Sequence, residues 1–583
     1  MRITSLELTN FRSFQATQRI EFAPVTLLFG PNSVGKSTVL MALFYLQQIL
    51  EKGHCDPMRL DALGGKHIGG FKNLVNGRDL NKRIVLKVTL DKQGEIGANY
   101  NRFAELLGEE LGLTVDSPSA DADNMAIELH IGYSKKEGTA FVACYRLWLD
   151  DKLIAELSSD DGLKQPVISY LNYRHPALLC DTDEAFEAEE GDGWFVSLLQ
   201  RELNLRRMVQ GHARGSYITK ASAGLSEAFT HVPVGFKGVA GALPPLGQTL
   251  QTTLEFDERL VDVRVHEILS DVLVAPLDNL LALFKDSLCI GPLRLVPDAL
   301  HQTNPYPEQN DWYSGAAAWD VLGRSESQLH AINQWMGKDK RLDLGYAIRN
   351  KTIFTKVHYS GGDEPLREIG SIIEQLEQSG FELQVTLSQE DLDENPSANQ
   401  RPVELSALKH LLSEEFKGRI DSDNSINATE DIGFKAVLWD EINNIEVSST
   451  DIGVGVSQLL PLIVAAIDKR QGLIACEQPE LHVHPRIQVG IGDLLTQNVG
   501  TKGFLIETHS EHLILRILKR IRQTSDDELP EGVEPVYPQD VAIVYMEPAP
   551  DGTKTWRIEI DGDGEFRQRW PNGFFAERRE ELM

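Results

Sequence analysis

The sequence predicts an α/β fold: a mixed sheet with an antiparallel layer, assembled from both ends of a 583-residue chain and interrupted by a mostly helical insertion. Three observations predict it. Near the N-terminus an apolar run, residues 25–29, leads into Gly30-Pro-Asn-Ser-Val-Gly-Lys-Ser37 and then into residues 36–50 with helical spacing. Far downstream a second apolar run, residues 472–477, ends in a carboxylate, Glu477, which lies 441 residues after Lys36. Between them, residues 194–208 and 260–284 carry apolar side chains at three and four spacing.

The first element is a phosphate-binding loop in its proper context. A strand that stops at Gly30 and restarts as a helix at Lys36 leaves backbone N–H groups converging on one spot, where the helix N-terminus adds positive dipole. A triphosphate fits there. Lys36 would reach the β and γ phosphates and Ser37 would place its hydroxyl on Mg²⁺, while Asn32, Ser33 and Thr38 line the rest of the loop. Gly30 and Gly35 permit a backbone approach that a Cβ would block.

Composition bounds the remaining possibilities. Hydrophobic residues make up 42% and charged residues 25%, ordinary globular values, and the length suggests several domains. The opening residues alternate like a strand and lack the pattern of a signal peptide, and the longest apolar run in the last third, residues 459–467, is too short to cross a bilayer. A soluble, cytoplasmic protein with no membrane partner is expected. The five cysteines, Cys55, Cys144, Cys180, Cys289 and Cys476, lack CxxC spacing, so neither a zinc site nor a disulfide framework is indicated. The net charge of −30 opposes nonspecific polyanion binding by the whole surface but leaves room for a local basic groove.

Along the chain, residues 3–8 and 20–22 read as short strands flanking Asn10-Phe-Arg-Ser-Phe14. Residues 83–90 and 125–149 read as a β-rich layer, with 92–124 as an exposed excursion. Residues 185–285 turn helical and suggest arms or a lid, without the sustained heptads of a long coiled coil. Residues 327–336 and 368–379 read as further helices, 388–402 as an exposed linker, and the core resumes near 430.

The second half of the site follows. Glu477 closes an apolar strand, as a carboxylate holding Mg²⁺ or its water opposite the loop serine requires. A further apolar strand, residues 503–506, leads into Glu507-Thr-His-Ser510, where His509 is placed to touch a γ-phosphate. Upstream, Ser448-Ser-Thr-Asp-Ile-Gly-Val-Gly-Val-Ser-Gln458 precedes a helix and forms a second anion site around Gly453 and Gly455. Ser449 and Ser457 both lie near those glycines, so the register of the phosphate contact stays open, with Gly455 favoured.

The order Asn-Phe-Arg, phosphate loop, long insertion, Gly/Ser loop, Glu477-Gln-Pro-Glu-Leu-His-Val-His-Pro485 and Thr508-His-Ser510 resembles the RecF/SMC-like ABC-type ATPases of the AAA class. More narrowly, it is similar to the ATPase subunits of Septu and Septu-like retron antiphage systems. The resemblance covers residues 1–90 and 440–515, and extends to Ile290-Gly-Pro-Leu-Arg294 and the tail segment 570–577. It implies an ATPase head in which Arg12 contacts phosphate, Lys36 and Ser37 bind ATP and Mg²⁺, Glu477 supports the metal and His509 is the switch histidine. It implies also that the loop at Gly453 and Gly455 closes on the nucleotide of a second subunit, giving a dimer or higher oligomer.

The domain boundaries expected on this basis are 1–180 for the N-terminal half of the head and 181–290 for a helical insertion or arm. Residues 291–430 would form the second part of the insertion and return to the head, 431–525 would form its C-terminal half, and 526–583 would be a β-rich tail. The resemblance implies a separate nuclease effector, such as an HNH endonuclease. The stretch after His509 is short for the Toprim nuclease that other RecF-like ATPases carry, so none is expected here. Competing functions are a repair or recombination ATPase and a nearly inactive ATP-bound scaffold.

One departure bears on turnover. Gln478 stands where such ATPases carry a catalytic glutamate, and an amide cannot accept a proton as a base. Hydrolysis is therefore expected to be slow, with Glu480 either substituting as base or serving the structure alone. His482 and His484 read as part of a dimer-facing loop rather than a metal cluster, and Glu559, Asp561, Asp563 and Glu565 as a solvated hairpin rather than a two-metal nuclease site. Two basic patches, Arg201, Arg206, Arg207, Arg214 and Lys220, and Arg516, Lys519, Arg520 and Arg522, read as solvated helix faces with a DNA or other nucleic-acid groove as the alternative.

Overall fold

The computed structural model describes residues 1–101, 118–162, 165–172, 175–178, 195, 198, 199, 201, 202, 234–296, 304–322, 325–354, 382–383, 432–449, 451–470, 472–497 and 502–568. They form two compact units, the first from residues 1–295, 306–317 and 458–583 and the second from 296–305 and 318–457.

In the first unit, strands Arg2–Thr9, Gln18–Glu21, Ile84–Asp91, Asn124–Ser134, Thr139–Leu149, Lys152–Ser158 and Val167–Leu171 join the short Val234–Gly235 in an eight-stranded antiparallel sheet. Along Ile84–Asp91 every second residue is buried, Ile84, Leu86, Val88 and Leu90 facing the core, whereas Thr139–Leu149 and Lys152–Ser158 are buried over most of their length. Register follows that face, with Leu86 opposite Leu8 on one side and Leu129 on the other.

The other sheet has six strands, in the order Leu288–Ile290, Leu473–Glu477, Gly503–Glu507, Val25–Phe29, Val541–Ala549 and Gly552–Ile558. The first five are parallel and the last pairs antiparallel at the edge. Val25–Phe29 and Leu473–Glu477 are buried along their whole length, as strands covered on both faces must be, which is why they read as unbroken apolar runs. The C-terminal strand Val541–Ala549 lies directly beside Val25–Phe29, so the β-rich tail supplies part of the sheet that holds the phosphate loop.

The helix Lys36–Lys52 follows that loop and is buried on most of its circumference. One hydrophobic cluster joins it to residues of both sheets and to the helices Arg259–Leu273 and Ala275–Lys285. Those two helices correct the reading of residues 260–284 as an arm or lid. Val265, Ile268, Val272, Leu273, Leu277 and Leu280 are all buried, and an apolar surface that wide is stable only inside a core.

The flanks of residues 92–124 match the expected exposed excursion only in part: residues 93–97, 99, 121 and 123 are exposed, but several anchors are not. Lys92, Tyr100, Ser119 and Ala122 are buried. Lys92 Nζ donates to the carbonyls of Ser119 and Ala120, and Asp271 accepts from the backbone N–H groups of Tyr100 and Ser119, so hydrogen bonding compensates the burial of this polar backbone. Residues 102–117 lie outside the described residues, as do most of the helix expected at 194–208, the helix expected at 368–379, the linker at 388–402 and the tail segment 570–577.

The second unit holds a four-stranded sheet in the order Glu382–Leu383, Tyr346–Phe354, Ile432–Asp440 and Ile445–Val447. The helix Glu326–Met336 is clasped to it through Asn333, whose side chain donates to the carbonyl of Ile348 and accepts from its N–H. The strand expected to resume the core near 430 is therefore Ile432–Asp440, paired within this unit.

Candidate functional site

Parallel register builds the site. Glu477 stands opposite Glu507 on neighbouring strands, and Glu507 stands opposite Leu28, whose strand ends at Phe29 where Gly30 opens the loop. Three strand ends therefore deliver two carboxylates and the phosphate loop to one edge, the carboxyl edge where open α/β sheets bind ligands.

The loop is shaped by close contacts. Gly30 has φ +143°, and a Cβ there would sit 2.3 Å from the carbonyl oxygen of Met546. Gly35 has φ +117°, and a Cβ would meet Ser13 Oγ at 2.5 Å. Ser33 takes a left-handed conformation at the exposed tip beside Asn32, and Thr38 is buried in the first turn of the helix. Two hydroxyls brace the loop from outside: Thr553 Oγ1 donates to the carbonyl of Val34 at 2.5 Å, and Ser13 Oγ does so at 3.4 Å. Arg12, on the same turn as Ser13, directs Nη1 to Met41 Sδ at 3.0 Å.

Lys36 is buried, and its Nζ donates to the carbonyls of Gly30 at 3.0 Å and Pro31 at 2.9 Å. The same nitrogen is 3.9 Å from Glu507 Oε1. Burial lowers its pKa, and the charges of Glu507 and Glu480 act in the opposite direction. Ser37 Oγ donates to Glu507 Oε2 at 2.6 Å.

Glu477 is buried and accepts from the Tyr313 hydroxyl at 3.3 Å. Burial raises its pKa; neighbouring Glu507 adds to the rise, whereas Lys66 and the hydrogen bonds from Tyr313 and Ser37 oppose it. Its backbone carbonyl accepts from Arg294 Nη2 at 2.8 Å. Arg294 also donates to the carbonyls of Gln458 and Gly291, while the Gln458 side chain accepts from the Arg294 N–H and donates to its carbonyl. The strand end is thus tied to the helix Val454–Ile467 through one buried guanidinium.

Glu480 faces the other way. Its Oε2 accepts from Thr508 Oγ1 at 2.8 Å and its Oε1 from the backbone N–H of His509 at 2.7 Å, so both oxygens hold the segment carrying His509. Burial raises its pKa against those bonds. The His509 pKa is lowered, by burial first and by the charge of Lys36 second, and its Nε2 is buried without a hydrogen-bond partner. Gln478 has φ +46° and donates its backbone N–H to the carbonyl of Glu507.

These features fit a nucleotide. The helix Lys36–Lys52 has no side chain capping its N-terminus, the two glycines leave no room for a Cβ, and the orphaned His509 nitrogen is a polar group in want of a partner. Lys36, Ser37, Glu477 and His509 belong to this edge. Gly453 and Gly455 fall in the second unit, at the start of Val454–Ile467, where nothing would obstruct a Cβ on Gly453.

Sequence reasoning passed over Glu507, Tyr313 and Arg294 as site residues. Glu507 carried a signal, a carboxylate ending an apolar strand just as Glu477 does. Tyr313 carried none, since nothing local marks a tyrosine that meets a residue 164 positions away.

Several of the remaining polar groups singled out by the sequence are used internally. His484 accepts from the N–H of Arg486 and caps the helix Pro485–Thr496, and His482 occupies an exposed left-handed turn. Asp561 accepts from the N–H groups of Asp563 and Glu565 in a closed turn. Arg516 and Arg520 both pair with Asp493, at 3.3 and 2.7 Å, and Arg522 pairs with Glu565 at 2.7 Å, so much of that basic patch is neutralised by its own carboxylates, although Lys519 is exposed. Of the other patch Arg201 is exposed, and Arg206, Arg207, Arg214 and Lys220 lie outside the described residues.

No helix among the described residues is long and apolar enough to cross a membrane. No curated protein matches the sequence. Among solved structures, the SMC head domain from Thermotoga maritima aligns with a TM-score of 0.33 at 8% identity, over 96% of this chain and 100% of that one. An Smc head domain with an extended coiled coil bound to the C-terminal domain of ScpA, derived from Pyrococcus furiosus, aligns with a TM-score of 0.35 at 9% identity, over 100% and 98%. The AAA ATPase domain family matches residues 1–135 and 343–514, more than half of the chain and both halves of the site. On that match the chain belongs to the AAA ATPase domain family.

Proposed function

We propose that the chain binds and hydrolyses ATP with Mg²⁺ and uses the cycle to control a partner protein. The observation that carries this reading is the meeting of Lys36, Ser37, Glu477 and His509 at one sheet edge around an uncapped helix N-terminus. Lys36 would leave its carbonyl partners for the β and γ phosphates, Ser37 and Glu477 would hold Mg²⁺, and His509 Nε2 would meet the γ-phosphate. Arg12, Asn32, Ser33 and Thr38 would complete the cradle. When bound, the metal supplies charge neutralisation on the transferring phosphoryl group.

The helix start at Gly453 and Gly455, exposed at the first glycine and half-buried at the second, supports a further role, closure on the nucleotide of another copy of the chain. Head engagement of that kind suits regulation of an effector. The resemblance to Septu-like ATPases favours a nuclease, such as an HNH endonuclease, in antiphage defence. A second reading, an ATP-bound scaffold with little turnover, is favoured by Gln478 at the usual position of the catalytic glutamate.

The test is ATP binding and turnover by the wild type beside Lys36→Ala, with the mass measured in each nucleotide state. Turnover that depends on Lys36, together with a mass increase in ATP, supports the cycling reading. Tight binding and stable assembly without turnover select the scaffold, and no binding by the wild type ends both.

A further inference from the structure

We propose that Glu507 is a second metal-side carboxylate, pairing with Glu477 to position the Mg²⁺ of Mg-ATP at Ser37. The proposal rests on the ATP-binding reading and adds a residue to it.

Glu477 and Glu507 are directly opposite on parallel neighbouring strands, so their side chains leave the sheet on the same side, and both are buried. Ser37, whose hydroxyl is the expected metal ligand, donates to Glu507 Oε2 at 2.6 Å.

Two buried carboxylates side by side repel each other. Lys36 is the cation paired with Glu507, at 3.9 Å, and it is held by the carbonyls of Gly30 and Pro31. Once Lys36 turns to the phosphates, the pair is left without it. A divalent cation restores the balance, whereas ATP without metal brings further negative charge to two acids.

Gln478 offers no charge, and both oxygens of Glu480 are taken by Thr508 and His509. The carboxylate free to join Glu477 at the metal is therefore Glu507, one strand over. The Gln478 backbone N–H bonds to the carbonyl of Glu507 at 2.8 Å, which ties the two strand ends together.

The experiment measures ATP affinity with Mg²⁺ and with chelator, in the wild type, Glu507→Gln and Glu507→Asp. The readout is the ratio of the two affinities, which requires no turnover. Gln keeps an oxygen to accept from Ser37, so a purely structural acceptor would leave the ratio unchanged. We expect Glu507→Gln to shrink the ratio by roughly 10–100-fold, with Mg-ATP bound more weakly and metal-free ATP more tightly, and Glu507→Asp to restore part of it. An unchanged ratio in Glu507→Gln, with nucleotide still bound, overturns the proposal and leaves the ATPase reading standing. A wild type that binds no ATP overturns the ATPase reading first.

Discussion

The two sheets of the first unit differ in where their polar side chains stand. In the antiparallel sheet the strand Ile84–Asp91 alternates, with Ile84, Leu86, Val88 and Leu90 turned to the core and their neighbours half exposed, while Thr139–Leu149 and Lys152–Ser158 are buried over longer runs. The central parallel strands are buried almost throughout, and polar side chains with chemical roles are concentrated at their carboxyl ends. The difference teaches where function can reside: a sheet covered on both faces has no room for a charge along its length, so charge collects at its edge. The antiparallel sheet shapes the core, and the parallel one presents the site.

Lys36→Ala breaks the comparison most severely on the parallel side. Removing a group aimed at developing phosphate charge lowers turnover by roughly 10²–10³-fold, with a smaller fall in melting temperature, because the carbonyls of Gly30 and Pro31 lose their donor while the desolvation cost of a buried ammonium is relieved. Steady-state turnover and thermal unfolding of the same preparation check both halves of that statement.

Leu86→Ala should behave in the opposite way. It opens a cavity between Leu8 and Leu129, at a cost of about 2–5 kcal/mol, while the folded fraction keeps its affinity for ATP. Denaturant titration beside nucleotide binding decides it, and a large affinity loss in protein that remains folded would mean that the antiparallel sheet also shapes the site.

Arg294→Met sharpens the boundary between the two roles. It leaves the carbonyls of Gly291, Gln458 and Glu477 without their charged donor, and loss of a hydrogen bond to a charged group costs about 1.5–3 kcal/mol in unfolding free energy. Turnover measured on the folded protein should fall as well, because Glu477 loses the tie that holds its strand end.

The smallest effect concerns pH. His175 is buried, donates Nε2–H to the carbonyl of Leu149 and accepts at Nδ1 from the N–H of Ala177, an arrangement that needs the neutral ring. Burial lowers its pKa below the ordinary histidine value. The unfolded chain therefore takes up the proton first, and the stability His175 contributes is fully present above its unfolded pKa and declines as pH falls below about 6.5. His175→Gln should flatten that slope in a stability-against-pH series; an unaltered slope would assign it to other groups.

Much of the site was legible because its signals are local. A strand, a glycine loop and a helix are adjacent in sequence, so Gly30 to Ser37 announce a phosphate cradle without any knowledge of the fold. Glu477 and His509 were legible for a related reason, each closing or following an apolar run that only a buried strand explains. The helices at 259–285 were visible as helices but not as core, since the apolar spacing of an arm and of a buried pair look alike until a partner surface exists. Arg516 and Arg520 likewise read as free cations because Asp493 lies on another helix.

The sequence by itself determined the strand–loop–helix cradle, the carboxylate-ended strands and the assembly of the sheet from distant parts of the chain. Local backbone geometry and hydrophobic periodicity are properties of neighbouring residues, and they survive without tertiary context. Only the tertiary structure decided that Glu507 meets Ser37, that Glu480 holds the His509 segment instead, and that Arg294 ties Gln458 to the end of the Glu477 strand. Those pairings depend on strand order and register, which are set by the packing of both sheet faces at once.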